Sequence, residues 1–386
     1  EYGGTLTISK SGIFPPTADP YFSTSWALHS VLHGVLESLS IGNWAIDRDE
    51  FDWSSYADPL FGKRGALAES WEQPDPLTYI MHIRQGVYWH DKPPVHGREL
   101  TADDVEYTFH RNLAMGEFSE TEPTPGVLAW DGWDTMPIES ITATDKWTVV
   151  FKLTRPDNRA LRSIIGNVIH FIVAREVIEE YGDMKDWRNV VGTGPWVLTD
   201  LVEGSSLTLT KHPNYWSDDE KYPGNRLPYV DKLRVKVMPE PATRIAALRT
   251  GQIDYAGAVL NHPPTLNSID KVESLKRTNP EIVIWEHIVR MTSSFGLNTQ
   301  RAPFDDIRVR KAMQMALDLE TLNETYFKGW GTWRPQGMIA NHVPLAGTPF
   351  EEWPEEVKKG YRYDPAGAEE LLDEAGYPRG ADGIRF

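Results

Sequence analysis

Three histidines, His82, His90 and His96, are the first residues whose type and spacing suggest chemistry. On the two strands of a hairpin, His82 and His90 would share a face and offer two imidazole nitrogens to a metal ion. Nothing acidic completes a set at zinc-site spacing, and no histidine pair has the spacing of a helical zinc motif, so no metal is expected. Gly194 belongs to Gly192-Thr193-Gly194-Pro195, which lacks the further glycines and the lysine of a phosphate-binding loop. No Gly-x-Ser-x-Gly nucleophile elbow occurs. The paired carboxylates Asp103/Asp104, Asp218/Asp219 and Asp305/Asp306 lie at helix starts or turns, where capping and the helix dipole explain them better than acid–base work. No catalytic or cofactor motif is recognised, and glycosidase carboxylates, which have no local spacing signature, would leave none. The aromatic content points elsewhere: 15 Trp, 15 Tyr and 13 Phe can build a large core, or platforms on which sugars or apolar ligand groups stack.

Composition narrows the classes further. With Lys+Arg 39 against Asp+Glu 56, the net charge of −17 and the lack of a basic run make a poor nucleic-acid binder. Zero cysteine excludes disulfide scaffolds, thiolate metal sites and cysteine nucleophiles. The most apolar run, Ile164 to Ala174, is far shorter than the ~20 residues of a membrane span. A chain of 386 residues, 40% hydrophobic and 25% charged, is globular and long enough for two or three lobes.

These residues need elements to position them. Thr5 to Ile8 alternates as a strand, at what reads as the start of a mature or trimmed chain. Trp26, Leu28, Val31, Leu32, Val35, Leu36 and Leu39 recur at helical spacing and predict a helix over 25–39. Leu77, Tyr79, Met81 and Ile83 alternate on one strand face, and Val87-Tyr88-Trp89 beyond the turn Gln85-Gly86 would complete a hairpin. Thr101, with Asp104 three residues on, caps a helix. Residues 116–137 read as a long loop. Strands are expected at 138–144, 147–153, 195–200, 206–211 and 231–238, then a helix over 241–250 ending at Gly251 in a left-handed position. Ile253-Asp254-Tyr255, Ile282 to Trp285 and Thr292 to Leu297 read as short strands, and Gly257 to Asn261 as a segment crossing between lobes. Pro303-Phe304-Asp305-Asp306 opens a helix through Leu317, and Asp364-Pro365 opens another ending at Gly376. Ile384-Arg385-Phe386 begins an apolar element as the sequence stops, so the natural chain is expected to continue.

The order of several segments carries a resemblance. Leu67-Ala68-Glu69-Ser70-Trp71, then Tyr79 through Asp91, then Leu100-Thr101-Ala102-Asp103-Asp104-Val105 is similar to the signature of extracellular solute-binding proteins, family 5, the oligopeptide- and dipeptide-type receptors of ABC importers. Gly3-Gly4-Thr5-Leu6, Gly192-Thr193-Gly194-Pro195, Asn214-Tyr215-Trp216, Arg249 to Asp254 and Pro303 to Ala312 agree in the same order across the chain. Lys92 departs from the family's usual glycine, and Pro93 to Arg98 lengthens what is expected to be a surface turn.

The resemblance implies an α/β fold of the type II periplasmic-binding-protein kind, with two lobes, an interlobe cleft, and a C-terminal part of the fold missing. The first lobe would comprise residues 1–45 and 192–260, with a subdomain inserted at 46–191, and the second lobe would begin at 261. It implies a monomeric, extracytoplasmic protein, periplasmic or lipid-anchored at the cell surface, that binds no nucleic acid. It would capture an oligopeptide by hinge closure and deliver it to a membrane permease. An oligosaccharide receptor of the same family, stacking sugars on Trp, is the alternative; a glycoside-active enzyme and a nickel or haem carrier are weaker readings. Thr24, Ser25 and Trp26 correspond to a cleft-lining stretch, Phe295 and Asn298 to a strand of the second lobe that borders the cleft, and Trp133, with Trp130, to a loop at its mouth. His212 to Trp216 is expected to be structural, with Tyr215 and Trp216 pinning a turn.

Overall fold

The computed structural model describes residues 2–11, 18–20, 32–43, 45–47, 49, 63–122, 136–157, 159–166, 170–256, 266–284, 295–331 and 348–385. The chain divides into two compact units, one of residues 1–51 and 58–259, the other of residues 52–57 and 260–386. No described helix is long and apolar enough to cross a membrane.

Two four-stranded sheets organise the first unit. One has the order β1 (Thr5–Lys10), β10 (Lys232–Val237), β9 (Ser206–Lys211), β8 (Trp196–Val202). Its β1 and β10 run parallel, joining the two most distant segments of the sheet, whereas β8 and β9 form the hairpin expected from their pattern. Ile253-Asp254-Tyr255 is no full strand; it adds one parallel bridge, Ile8 to Tyr255, on the outer side of β1. A short pair, β2 (Ser40–Gly42) with β3 (Lys63–Gly65), leads to the second sheet. That sheet has the order β4 (Ala68–Asp75), β5 (Thr78–Ile83), β7 (Thr148–Leu153), β6 (Ile138–Asp145), antiparallel throughout.

The alternation in β5 works as read, because Tyr79, Met81 and Ile83 face the core while their neighbours do not. Leu77 does not join them: it lies in the turn, 37% exposed, with its N–H donated to Asp75. The expected hairpin partner is also different. Both edges of β5 are already paired, to β4 and β7, so Val87-Tyr88-Trp89 pairs instead with the stretch entering the next helix, through Trp89 N to Arg98 O (3.0 Å) and Leu100 N to Val87 O (2.8 Å).

The helix Ala102–Leu113 packs on this sheet, its start closed by the reciprocal Thr101/Asp104 capping box. The core runs through both sheets; Trp89, Phe151, Phe171, Leu36 and Met81 are among its fully buried side chains. In the stretch read as a helix over 25–39, residues 25–31 lie outside the described set. Leu32 is helical, and from His33 the backbone turns instead of carrying the helix on to 39, yet Leu32, Val35, Leu36 and Leu39 are each 1% exposed or less. The periodicity marked what is buried, and the requirement to meet neighbouring backbone set the conformation.

In the second unit the described helices are Leu266–Thr278, Ile307–Met315, Leu319–Thr325, Glu355–Lys359 and Pro365–Glu374. Asp306 and Asp364 cap two of them, accepting from the N–H of Arg308 and Gly367. These two helices pack together, with Arg308 Nη1 donating to Glu374 O at 2.7 Å. Residues 282–284 and 295–297 belong to no strand, and 285–294 lie outside the described residues. Arg385 pairs with Arg379 through an isolated β-bridge, and the described residues there form no strand. Gly257 to Asn261 also lies outside the described set.

Candidate functional site

Of the six residues assigned to ligand binding, Thr24, Ser25, Trp26 and Trp133 lie outside the described residues, as does Trp130. The segment that follows the first three begins at Leu32, and its surroundings are clear. Glycines let other backbone close on it. The N–H of Gly194 donates to Val35 O (3.0 Å) and that of Trp196 to Gly34 O (2.9 Å). A Cβ at residue 192 would lie 1.9 Å from the Val35 carbonyl oxygen, and one at residue 194 would lie 2.7 Å from that of Gly34. Gly192 and Gly194 are thus required by close approach of two backbones, with no phosphate cradle involved. Ile172 N donates to Glu37 O (2.9 Å), and Ala66 N and Ala68 N both donate to Leu39 O (3.0 Å), fastening the same segment from two further elements.

The Glu37 side chain is the least expected feature of this clasp. It is buried, and Tyr215 Oη donates to its Oε1 (3.0 Å) while Trp216 Nε1 donates to its Oε2 (3.0 Å). Burial pushes its carboxyl up to about 7, against the opposing pull of bonds from Trp216, Thr193 and Tyr215 and the charge of Arg64. Tyr215 and Trp216 do pin a turn, and the carboxylate 178 positions earlier is what they pin it to. Nothing in the local sequence around Glu37 signals this pairing.

His90 completes the clasp. Its Nε2 donates to Gly194 O (3.0 Å), its Nδ1 accepts from Gly192 N (3.2 Å), and its own N–H donates to Gly192 O (2.8 Å). The His212 ring stands edge-on to it, 4.8 Å between centroids. Burial drives the His90 imidazole down to about 3 and lowers His212 as well, so the two rings pack as neutral groups. His82 is not on the same face. It is exposed and lies 3.0 Å from Glu72, and His96 sits in the turn before Gly97. Among the described residues no three His, Asp or Glu side chains gather to hold a metal.

The two buried groups predict opposite pH dependences. His90 contributes stability that is present above pH ~6.5 and is lost as pH falls toward 3, because the unfolded ring takes up a proton that the folded one resists. Glu37 contributes stability that is present below about 4.5 and is lost as pH rises through 7. Glu37→Gln is expected to remove the decline on the alkaline side, a slope of at most ~1.4 kcal/mol per pH unit. Urea unfolding at intervals from pH 4 to 8 measures it, and an unchanged slope in the variant would count against the assignment.

The remaining two site residues lie in the second unit. Phe295 is 74% exposed. Asn298 shapes a turn, its Oδ1 accepting from Gln300 N (3.1 Å) and its carbonyl from Arg301 N (3.1 Å). Neither sits on a strand.

The lengthened turn at residues 93–98 is more than surface. Arg98 leaves it to bind Asp104 through both terminal nitrogens (2.8 and 2.6 Å) and Glu176 through Nε and Nη2, with its guanidinium over the Trp89 ring (5.8 Å). Sequence reasoning missed this hub because Glu176 lies 78 positions away.

Comparison with known proteins places the chain. The family described as bacterial extracellular solute-binding proteins, family 5 Middle, matches residues 64–386. Heme-binding protein A of Haemophilus influenzae is 30% identical over 82% of this chain and 54% of its own length. Di/tripeptide-binding protein 2 of Pseudomonas aeruginosa is 28% identical over 81% of this chain and 55% of its own. Among solved structures, the periplasmic binding protein DppA of Helicobacter pylori, in complex with the peptide STSA, is 26% identical with a TM-score of 0.70, covering 98% of this chain and 67% of that one. The chain spans about half the length of these curated relatives. Its α/β architecture is that of the type II periplasmic binding proteins.

Proposed function

We propose that this chain, which belongs to the bacterial extracellular solute-binding proteins of family 5, serves an ABC importer as its extracytoplasmic receptor and captures a short peptide. The observation that carries the reading is the likeness over 98% of the chain to a protein solved with the peptide STSA. The relatives reported above are named for binding, not catalysis. In this reading residues 1–45 and 192–260 form one lobe with 46–191 inserted, and residues from 261 belong to the other; the parting of the two compact units after Val259 supports it. Thr24, Ser25, Trp26, Phe295, Asn298 and Trp133 would meet the ligand. A peptide held mainly through its main chain leaves its side chains in tolerant pockets. A ligand that touches both lobes favours the closed state by its greater affinity for that state. Delivery to a membrane permease follows from the family's place in import.

Haem is the second reading, favoured by the name of the 30% identical relative. Thermal unfolding against di-, tri- and tetrapeptides, haemin and cello-oligomers separates the readings, because a ligand of the native state alone raises the midpoint. A peptide at 100 times its Kd is expected to add about 2.7 kcal/mol. A response to haemin or to glycans with none to peptides would overturn the peptide assignment.

A further inference from the structure

An open groove of about 1010 Å³ lies wholly within the first unit. One wall comes from the stretch around β4 and β5, with Glu69, Arg84, Tyr88, Trp89 and Asp91; the other comes from β9 and the turn after it, with Lys211, His212, Trp216 and Arg226. Its charge runs against that of the chain. A surface of net charge −17 repels anions, yet three cations line this groove against two carboxylates.

None of the three cations is firmly neutralised. The Arg84 guanidinium carbon lies over the Trp216 ring, 4.5 Å from its centroid, with Nε donating to Ala66 O (2.8 Å); the Glu69 carboxylate stays 3.9 Å away. Arg226 and Asp218 approach only to 3.8 Å, both side chains 60% exposed. Lys211 has no carboxylate partner among the described residues, and its ammonium rests 5.1 Å from the Tyr2 ring.

The geometry points to a binding site, separate from peptide capture, for a small organic polycarboxylate. The groove is of the size that encloses a drug-sized molecule, so an inorganic ion would fill little of it. Arg84 and Trp216 form a pre-organised planar cation that suits a carboxylate, Lys211 and Arg226 supply charge for a second one, and the Tyr88 and Trp216 rings cover the carbon frame between them.

Isothermal titration with citrate at low ionic strength, in parallel with inorganic phosphate, tests the site. Citrate is expected to bind the protein at least tenfold more tightly than phosphate does. Lys211→Glu is expected to weaken citrate at least tenfold and Lys211→Met by less, while Lys236→Glu, away from the groove, changes nothing. Unaltered thermal midpoints identify variants that fold. No heat from citrate, equal affinity for phosphate and citrate, or a Lys211→Glu isotherm like that of the unmodified protein would each overturn the proposal. Peptide affinity, measured on the same variants, is expected to stay unchanged, so this test stands whether or not peptides prove to be the imported ligand.

Discussion

Gly192→Ala is expected to destabilise the first unit by about 3 kcal/mol, at the upper end of what overpacking costs. The new methyl would meet the Val35 carbonyl oxygen at 1.9 Å and its carbon at 2.7 Å. These are backbone atoms, so no rotamer change can relieve the clash. Moving either strand of backbone strains the Gly194 N to Val35 O bond and the two His90 ring bonds, which share the same few residues. With about 2–4 °C per kcal/mol for a unit of this size, the midpoint should drop by about 6–12 °C. A drop below 2 °C would mean that the two backbones are farther apart than described. Gly204→Ala supplies the contrast: its positive φ of 66° costs backbone strain, but a Cβ there meets nothing within 4 Å, so its loss should be near ~1 kcal/mol.

Asp104→Ala should cost about 3 kcal/mol, for two separable reasons. The carboxylate is 4% exposed and takes both terminal nitrogens of Arg98, so its removal leaves a half-buried guanidinium with one carboxylate, Glu176, and the Glu99 carbonyl. It also accepts from Thr101 N (3.0 Å), so the helix Ala102–Leu113 loses one side of its capping box. Asp104→Asn keeps an acceptor for the cap and removes the charge, and should recover roughly the ~1 kcal/mol that a cap is worth. Urea unfolding followed by far-ultraviolet circular dichroism measures both variants. Adding Glu176→Ala to Asp104→Ala should show strong coupling, since the two carboxylates share one arginine. Additive effects would show that Arg98 does not link them.

Features carried by neighbouring residues were legible in the sequence. The alternation Tyr79, Met81, Ile83 named one buried face of β5, and Thr101 with Asp104 named a helix start that closes as expected. Asp364-Pro365 did the same in the second unit, and Gly251 (φ 67°) takes the left-handed position assigned to it. Pairings across long stretches of chain were not legible. Val87 to Trp89 looked like the mate of β5 because it is close in sequence, but β4 and β7 had already taken both edges. Glu37 resembles any other acidic residue until Tyr215 and Trp216 arrive from 178 and 179 positions away. The same holds for the candidate site: the resemblance placed Phe295 and Asn298 on a strand, whereas Phe295 is exposed outside any strand and Asn298 shapes a turn.

The parallel pairing of Thr5–Lys10 with Lys232–Val237 has a consequence for the order in which the molecule can be assembled. When a ribosome has produced the first of these strands, its partner is still 227 residues in the future (232 − 5). At about 5–20 residues per second that is a wait of roughly 11–45 s. Through that interval the antiparallel sheet of residues 68–153 can close on itself from contacts near in sequence, while the earliest strand stays unmated and open to chaperones.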